Sequence, residues 1–423
     1  MLSSFENEIQ KGTGLAIIYM KNGLITPSTQ VDSILFDNLI NNNSYDPQCE
    51  GSRHEYIYRI LQFYPERQRI YNSLISYFDQ MTGDDSSQYQ VFGFVVMLVN
   101  EGLFNKSKIY ERFESYSGES ITPFMPGVKE IIEIDGIEGI IYLAEAFGRK
   151  IDEINFEWFI NYPYFSDCEL QVGLSEEQII ELLHGKNNEN IERYLSFVSV
   201  ARSAEIPENR ECADEIYAKI KSENPSRLRR WLNKSSAEEI DQICAFFLLE
   251  KNLAIKKKII MGFSKRRMTI DFSILAAEFR RTRDQQYREA LINTMILYDN
   301  ETVVDLVESL KADDAKILWL KVNCHFFREN DFERFRMALA DLNPNEIHHI
   351  IDNILSSKRL QQSIRAPQIL RSAYQLNRCS ICRLSIVQKM ATVDCLDSNI
   401  LAELVHDANE DIRQLGMSAQ AGK

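Results

Sequence analysis

The sequence predicts an all-α fold: an α-solenoid of stacked antiparallel helix pairs, with a less regular helical N-terminal part. The first of three observations is a recurring phrase in which a polar turn and an apolar-then-basic pair open an amphipathic helix. It reads RDQQYREALINTMIL from Arg283, DDAKILWLKVN from Asp313, NPNEIHHIIDNIL from Asn343, NRCSICRLSIVQKM from Asn377 and DANEDIRQLGMSAQ from Asp407. Aligned on Tyr287, Ile317, Ile347, Cys382 and Ile412, the phrases are 30, 30, 35 and 30 residues apart, a fixed period of the kind stacked repeats produce. Second, 17 glycines and 10 prolines in 423 residues are few turn-formers between many long amphipathic stretches. Third, that length exceeds a usual single core, which favours a fold that grows by stacking.

The elements follow in order. In SYDPQCEGSRHEYIYRILQFY, Asp46 can cap a helix with Pro47 at its first position, and Tyr56, Ile60, Leu61 and Tyr64 recur at helical spacing. The segment MTGDDSSQ closes that hairpin. Val91 to Val99, VFGFVVMLV, is the best strand candidate, but its flanks read as helix and we assign it so. Residues 115–127 and 161–173 make strong breaks. Ser175 then opens LSEEQIIELLHG with Gln178 three positions on, a capping box. AEIPEN, SENPS and LNKSS separate the helices that follow. The organisation expected is an irregular, acidic helical region over 1–175 and a repeat region over 176–423.

From about residue 250 the chain resembles HEAT-like helical repeat proteins, in particular the short variety named after phycobilisome lyases. The likeness rests on an aspartate, a second polar residue two on, then an aliphatic residue and an arginine. Asp407, Asn409, Ile412 and Arg413 carry the full pattern, Asp284, Tyr287 and Arg288 part of it, and Leu318 and His348 stand in the arginine's place. The resemblance implies that the aspartate caps the inner helix while the arginine reaches toward a neighbouring repeat.

Hydrophobic residues at 44% and charged residues at 26% suit a soluble folded chain and argue against extensive disorder. Glu6 and Glu8 sit where a secretory signal would be basic, and no apolar run approaches the ~20 residues of a membrane span. A cytoplasmic protein without membrane partners is the expectation. Eight cysteines spread along the chain read as free thiols rather than a disulfide framework.

Charge is uneven. Residues 1–200 carry 14 Lys and Arg against 30 Asp and Glu, whereas residues 219–288 carry 17 against 8. This basic band holds Arg227, Arg229 and Arg230 beside Trp231, then Lys256, Lys257 and Lys258, then Lys265, Arg266 and Arg267, then Arg280, Arg281 and Arg283. Spaced about one repeat apart, these clusters can line up along one edge and attract phosphates or an acidic protein surface. They can equally be solvated helix termini, where cations suit the dipole.

Catalytic and metal motifs are thin. Cys379 and Cys382 form a C-x-x-C, but the nearby ligands Cys395 and His406 lie at separations matching no common zinc finger, which makes the pair packing residues. His54 and Glu55 begin H-E-x-x-H, but Tyr58 replaces the second histidine; Glu50, Arg53 and His54 read instead as a charged helix face. His348 and His349, near Asp352, point about 100° apart on a helix, so no metal is expected there. No phosphate loop or nucleophile elbow is present; GTG at Gly12 to Gly14 lacks the rest of either.

The function expected is therefore a non-enzymatic protein–protein interaction scaffold or adaptor, without cofactor or metal. Its binding residues would be Arg229, Arg230, Trp231, Lys257, Lys265, Arg266, Arg267, Arg280, Arg281 and Arg283, with Trp319, Phe326 and Phe327 as further aromatic anchors. The alternative is a nucleic-acid-binding HEAT-like protein, possibly of the alkylpurine DNA glycosylase type, whose basic concave face holds DNA. The acidity of the N-terminal half opposes that approach.

Overall fold

The computed structural model describes residues 1–81, 88–116, 125–153, 172–203, 211–221, 225–310 and 312–421, and every regular element among them is helical. The turn segment after Met81, most of the breaks at 115–127 and 161–173, all of AEIPEN and the first three residues of SENPS lie outside the described residues.

Two compact units divide the chain. The first is Met1–Pro207 with Arg378–Ile381 and Asp397–Lys423; the second is Glu208–Asn377 with Cys382–Leu396. The first holds α1 (Leu2–Lys11), α2 (Gly14–Lys21), α3 (Thr29–Ile40), α4 (Pro47–Glu50), α5 (His54–Leu61), α6 (Arg67–Gln80), α7 (Gln88–Asn100), α8 (Ser107–Glu114), α9 (Val128–Asp135), α10 (Ile137–Arg149), α11 (Glu176–His184) and α12 (Glu189–Ser203). The division differs from the 175/176 boundary drawn from sequence, because α10 packs along α12 and keeps that helix in the first unit. Gly148 makes the approach possible, since a Cβ there would lie 1.8 Å from the Asn190 carbonyl oxygen.

The apolar run Val91 to Val99 is the middle of α7, which packs against α3, α5, α6 and α9 with Phe92, Phe94, Val95, Val96 and Leu98 fully buried. The single helix expected from Asp46 is two. Asp46 does cap, accepting from the Cys49 amide, but Gly51 at φ 70° ends α4 and α5 starts afresh at His54. Ser175 and Gln178 make the expected reciprocal box, with Ser175 N donating to Gln178 Oε1 at 2.8 Å.

The second unit runs through α13 (Ala213–Ile220), α14 (Pro225–Leu232), α15 (Ala237–Leu249), α16 (Leu253–Gly262), α17 (Phe272–Arg281), α18 (Gln285–Met295), α19 (Thr302–Glu308) and α20 (Ala312–His325). It continues with α21 (Phe332–Ala340), α22 (Pro344–Ser356), α23 (Lys358–Gln362), α24 (Ala366–Leu376) and, from Cys382 on, α25 (Ser380–Thr392), before α26 (Ser398–Leu404) and α27 (Glu410–Ala421) return to the first. Alternate helices pack in succession, α14 on α16, α16 on α18, α18 on α20, α20 on α22 and α22 on α24. Gly262 sits at the first of these contacts, where a Cβ would come 2.4 Å from Leu228 Cδ2. Between α18 and α20, Lys321 is buried and donates to Glu289 at 2.5 Å and to Asn293 at 3.3 Å.

The recurring phrase marks helix starts. Asp284 Oδ1 accepts from Tyr287 N at 2.8 Å, Asn343 Oδ1 from Glu346 N at 3.0 Å and Asn409 Oδ1 from Ile412 N at 3.1 Å. The arginines turn back into their own turns: Arg288 Nε donates to Thr282 O at 2.9 Å and Arg413 Nη1 to Asp407 O at 3.0 Å, six residues upstream in both cases. Arginine and cap together satisfy the exposed polar groups of the turn and first helical residues.

The last phrase opens α27, yet α26 packs on α2. Ala408 N donates to Gly12 O at 2.8 Å, and Arg59 Nη2 donates to Asp407 O at 2.9 Å. The two ends of the chain thus belong to one unit.

Candidate binding surface

The basic band lies on helix ends of the second unit, and packing divides it. Arg266, just beyond α16, donates to the carbonyls of Leu232 and Ser235 at the C-terminal end of α14. Lys256 and Lys257, in the first turns of α16, face the other way: Lys256 meets Glu278 at 2.8 Å, and Lys257 meets Asp284 at 3.2 Å and Gln286 at 2.8 Å, where α17 ends and α18 begins. Antiparallel succession therefore places Arg229, Arg230, Lys265, Arg266 and Arg267 at one end of α16. Lys256, Lys257, Arg280, Arg281 and Arg283 gather at the other. α16 has 10 residues, so about 15 Å separates the two groups. The clusters that could line up along one edge thus fall into two patches.

Several residues of the basic band and its neighbouring Trp231 serve the fold. Trp231 Nε1 donates to Glu211 O at 2.7 Å, Arg227 pairs with Glu211, and Lys258 reaches the Ile220 carbonyl at 3.0 Å. Arg267 lies over the Tyr298 ring at 4.5 Å. Lys265 faces Asp352 at 3.8 Å with both side chains about three-quarters exposed, a geometry that adds little. Arg229, Arg230, Arg280, Arg281 and Arg283 are exposed and make no hydrogen bond or ion pair among the described residues. The proposed aromatic anchors are core: Trp319, Phe326 and Phe327 are buried, with Trp319 Nε1 on Glu308 at 2.7 Å and Arg334 stacked over its ring.

The other sites singled out in the sequence also acquire surroundings. Glu50 and Arg53 do not form an exposed helix face; their side chains are buried as a pair at 2.7 Å, because α4 ends between them and turns both inward. His54 packs against Gly93, and its Nδ1 lies 2.8 Å from Ser52 Oγ. Burial pushes that imidazole down to about 4, with nearby Lys129 acting in the same direction against Glu55, so it is neutral at pH 7. His348 Nδ1 lies 3.5 Å from Cys382 Sγ.

No family model, curated protein or solved structure matches this chain. Among the described residues no helix is long and apolar enough to cross a membrane.

Glu130 is a buried carboxyl of the first unit. It accepts from Gly127 N at 2.9 Å at the start of α9, and burial raises it to about 7 despite that hydrogen bond and Lys129. A raised carboxyl favours the protonated folded state, so its contribution is fully present below the unfolded value near 4.3 and lost as pH rises through about 7. Glu130→Gln keeps an acceptor for Gly127 without the charge. Relative to wild type it should gain on the order of 2 kcal/mol at pH 8 and almost nothing at pH 4, measured by denaturant unfolding at both values.

Proposed function

We propose that the protein is a non-enzymatic binding scaffold, a HEAT-like solenoid in its second unit, which holds an acidic protein surface at the ends of its helices. The observation that carries this reading is the set of five exposed arginines, Arg229, Arg230, Arg280, Arg281 and Arg283, with no partner among the described residues. Lysine and arginine at the C-terminal ends of α14 and α17 suit the helix dipole, but that role needs no cluster, and clustered free guanidiniums are pre-organised for carboxylates. The succession of alternate helices from α14 to α24 supports the solenoid. Two patches at opposite helix ends favour a protein over a DNA backbone, because duplex binding of the glycosylase type calls for a positive face covering the concave surface.

The test is capture from native lysate with and without nuclease treatment, followed by reconstitution with the purified partner. Two variants probe the patches separately: Arg229→Glu with Arg230→Glu, and Arg280→Glu with Arg281→Glu and Arg283→Glu. A protein partner should bind about tenfold or more weakly to at least one variant, with a loss that shrinks at high salt. Recovery of nucleic acid that both variants abolish would replace this reading with the nucleic-acid one.

A further inference from the structure

The outer face of α15 changes character at its C-terminal end. Ile240, Ile243, Cys244 and Phe247 are its buried positions, and Asp241 and Gln242 stand on the exposed side. About two turns further on, the exposed positions of an amphipathic helix should again be polar. They are Leu248 and Leu249, 47% and 78% exposed, and Leu253 at the start of α16 is 44% exposed. The polar side chains of the intervening turn are engaged by its backbone. Glu250 Oε1 accepts from Lys251 N at 2.8 Å and from Asn252 N at 2.7 Å, and its Oε2 accepts from the Tyr217 hydroxyl at 2.5 Å. Asn252 caps α16 by accepting from Ala254 N at 2.9 Å. Three leucines within six residues are thereby left on the surface of the turn. Single exposed leucines are ordinary, but a cluster marks an interaction surface.

The same edge of the second unit carries the cations. Lys256, over the Phe247 ring at 5.1 Å, reaches Glu278, and Lys257 reaches Asp284, so the turn between α15 and α16 lies beside the turn between α17 and α18. That second turn and the end of α17 hold Arg280, Arg281 and Arg283, all exposed. Their acidic neighbours are engaged elsewhere: Glu278 accepts from Lys256 and the Tyr287 hydroxyl, and Asp284 accepts from Lys257 and Tyr287 N. The patch of Arg229 and Arg230, at the other end of α16, has no exposed leucine among the described residues.

We propose that this edge seats an acidic amphipathic helix of a partner protein, its apolar side on Leu248, Leu249 and Leu253 and its carboxylates on Arg280, Arg281 and Arg283. Such a helix is a particular form of the acidic surface proposed above, and depends on that reading, but it uses one of the two patches and adds an apolar contact. A helix with apolar residues at i, i+3, i+4 and i+7 covers a strip of leucines while its flanks carry charge, and guanidiniums hold carboxylates through paired N–H donors. An anionic membrane would meet the same cations, but interfacial surfaces favour tryptophan and tyrosine. Among the described residues of the second unit neither is exposed. The leucines supply attraction that salt does not screen, and the arginines supply orientation and partner choice.

The test uses the full-length chain and fluorescein-labelled peptides of about 18 residues, read by anisotropy. One peptide carries leucine at i, i+3, i+4 and i+7 with glutamate between, the second is its scrambled sequence, and the third is a polyglutamate of equal length. The amphipathic peptide should bind about tenfold or more tightly than either control. Leu249→Ser with Leu253→Ser should weaken it about tenfold at low and high salt alike, whereas Arg280→Glu with Arg281→Glu and Arg283→Glu should weaken it about tenfold at low salt and less at high salt. Arg229→Glu with Arg230→Glu should leave it unchanged. Every substituted side chain is exposed, and circular dichroism checks that helix content is kept. Equal binding of all three peptides, lost with the arginines but not with the leucines, would overturn the helix and leave the acidic-surface reading standing. A captured protein partner indifferent to both arginine variants would remove that reading as well. Leucine-dependent sedimentation with phosphatidylserine vesicles in place of peptide binding would overturn the proposal in favour of a membrane surface, and no binding to any peptide or vesicle would overturn it outright.

Discussion

Gly14→Ala should destabilise the first unit by on the order of 3 kcal/mol or more and release the C-terminal helix pair from α2. In an exposed helix the same change is favourable by as much as ~1 kcal/mol, since alanine loses less backbone entropy. Here the added Cβ would sit 1.9 Å from the Glu403 carbonyl oxygen, 2.8 Å from its carbon and 3.0 Å from His406 Cβ. The obstacle is backbone, so no rotamer relieves it and α26 must move. Moving α26 strains the neighbouring seat, where Gly12 O accepts from Ala408 N and Tyr56 donates to Thr13 O at 2.6 Å. Gly23→Ala is the control: φ is +68° there and nothing lies within 4 Å of the added carbon, so only the left-handed backbone cost of about 1–2 kcal/mol applies. Hydrogen exchange gives the regional readout. Amides of 398–421 should exchange faster in Gly14→Ala and keep wild-type protection in Gly23→Ala. Unchanged protection in both would mean that this close approach does not hold the C-terminal pair in place.

That packing marks where the sequence stopped being informative. Helix starts were legible, because a cap and its partner lie within three residues: Ser175 with Gln178, Asp284 with the Tyr287 amide, Asn343 with Glu346. What the phrase does not encode is the neighbour. Its arginine contacts the carbonyl six residues upstream in both α18 and α27, so the same local code opens a helix of the second unit and one that packs with the first. The basic band was legible as composition but not as shape, because charges one repeat apart alternate between opposite helix ends when helices run antiparallel. Trp319 and Phe327 are core rather than anchors, a distinction the sequence does not carry because an aromatic at helical spacing looks alike in either role. His348 gave one signal, its occupation of an arginine's position; its approach to Cys382 depends on a fold that spacing alone cannot supply.

Glu50→Ala should cost about 3–5 kcal/mol, the range for removing one partner of a buried ion pair. The Glu50 side chain is fully buried and its Oε2 lies 2.7 Å from Arg53 Nη2. It also accepts from the Asp46 amide at 2.9 Å and from the Ser380 amide at 2.9 Å, joining the loop around α4 to the stretch Arg378–Ile381 within the first unit. Arg53 donates in addition to the carbonyls of Ile9 and Gln10, and those two bonds cannot neutralise it. Alanine at position 50 therefore takes a buried carboxylate away from the Arg53 guanidinium and from two backbone amides. Burial by itself pushes the Glu50 carboxyl up, but Arg53 and the Ser380 and Asp46 hydrogen bonds outweigh it and hold the group below the ordinary carboxylate range. A depressed folded pKa means that the contribution is fully present above the unfolded value near 4.3 and is lost as pH falls through the folded one. The acid limb of unfolding should therefore flatten in Glu50→Gln, with the wild-type advantage large at pH 7 and almost gone at pH 3. This is opposite in sign to the Glu130 effect, so the two variants separate the pair's contribution from general acid destabilisation. A Glu50→Gln chain that keeps wild-type stability at pH 7 would show the buried pair to be dispensable.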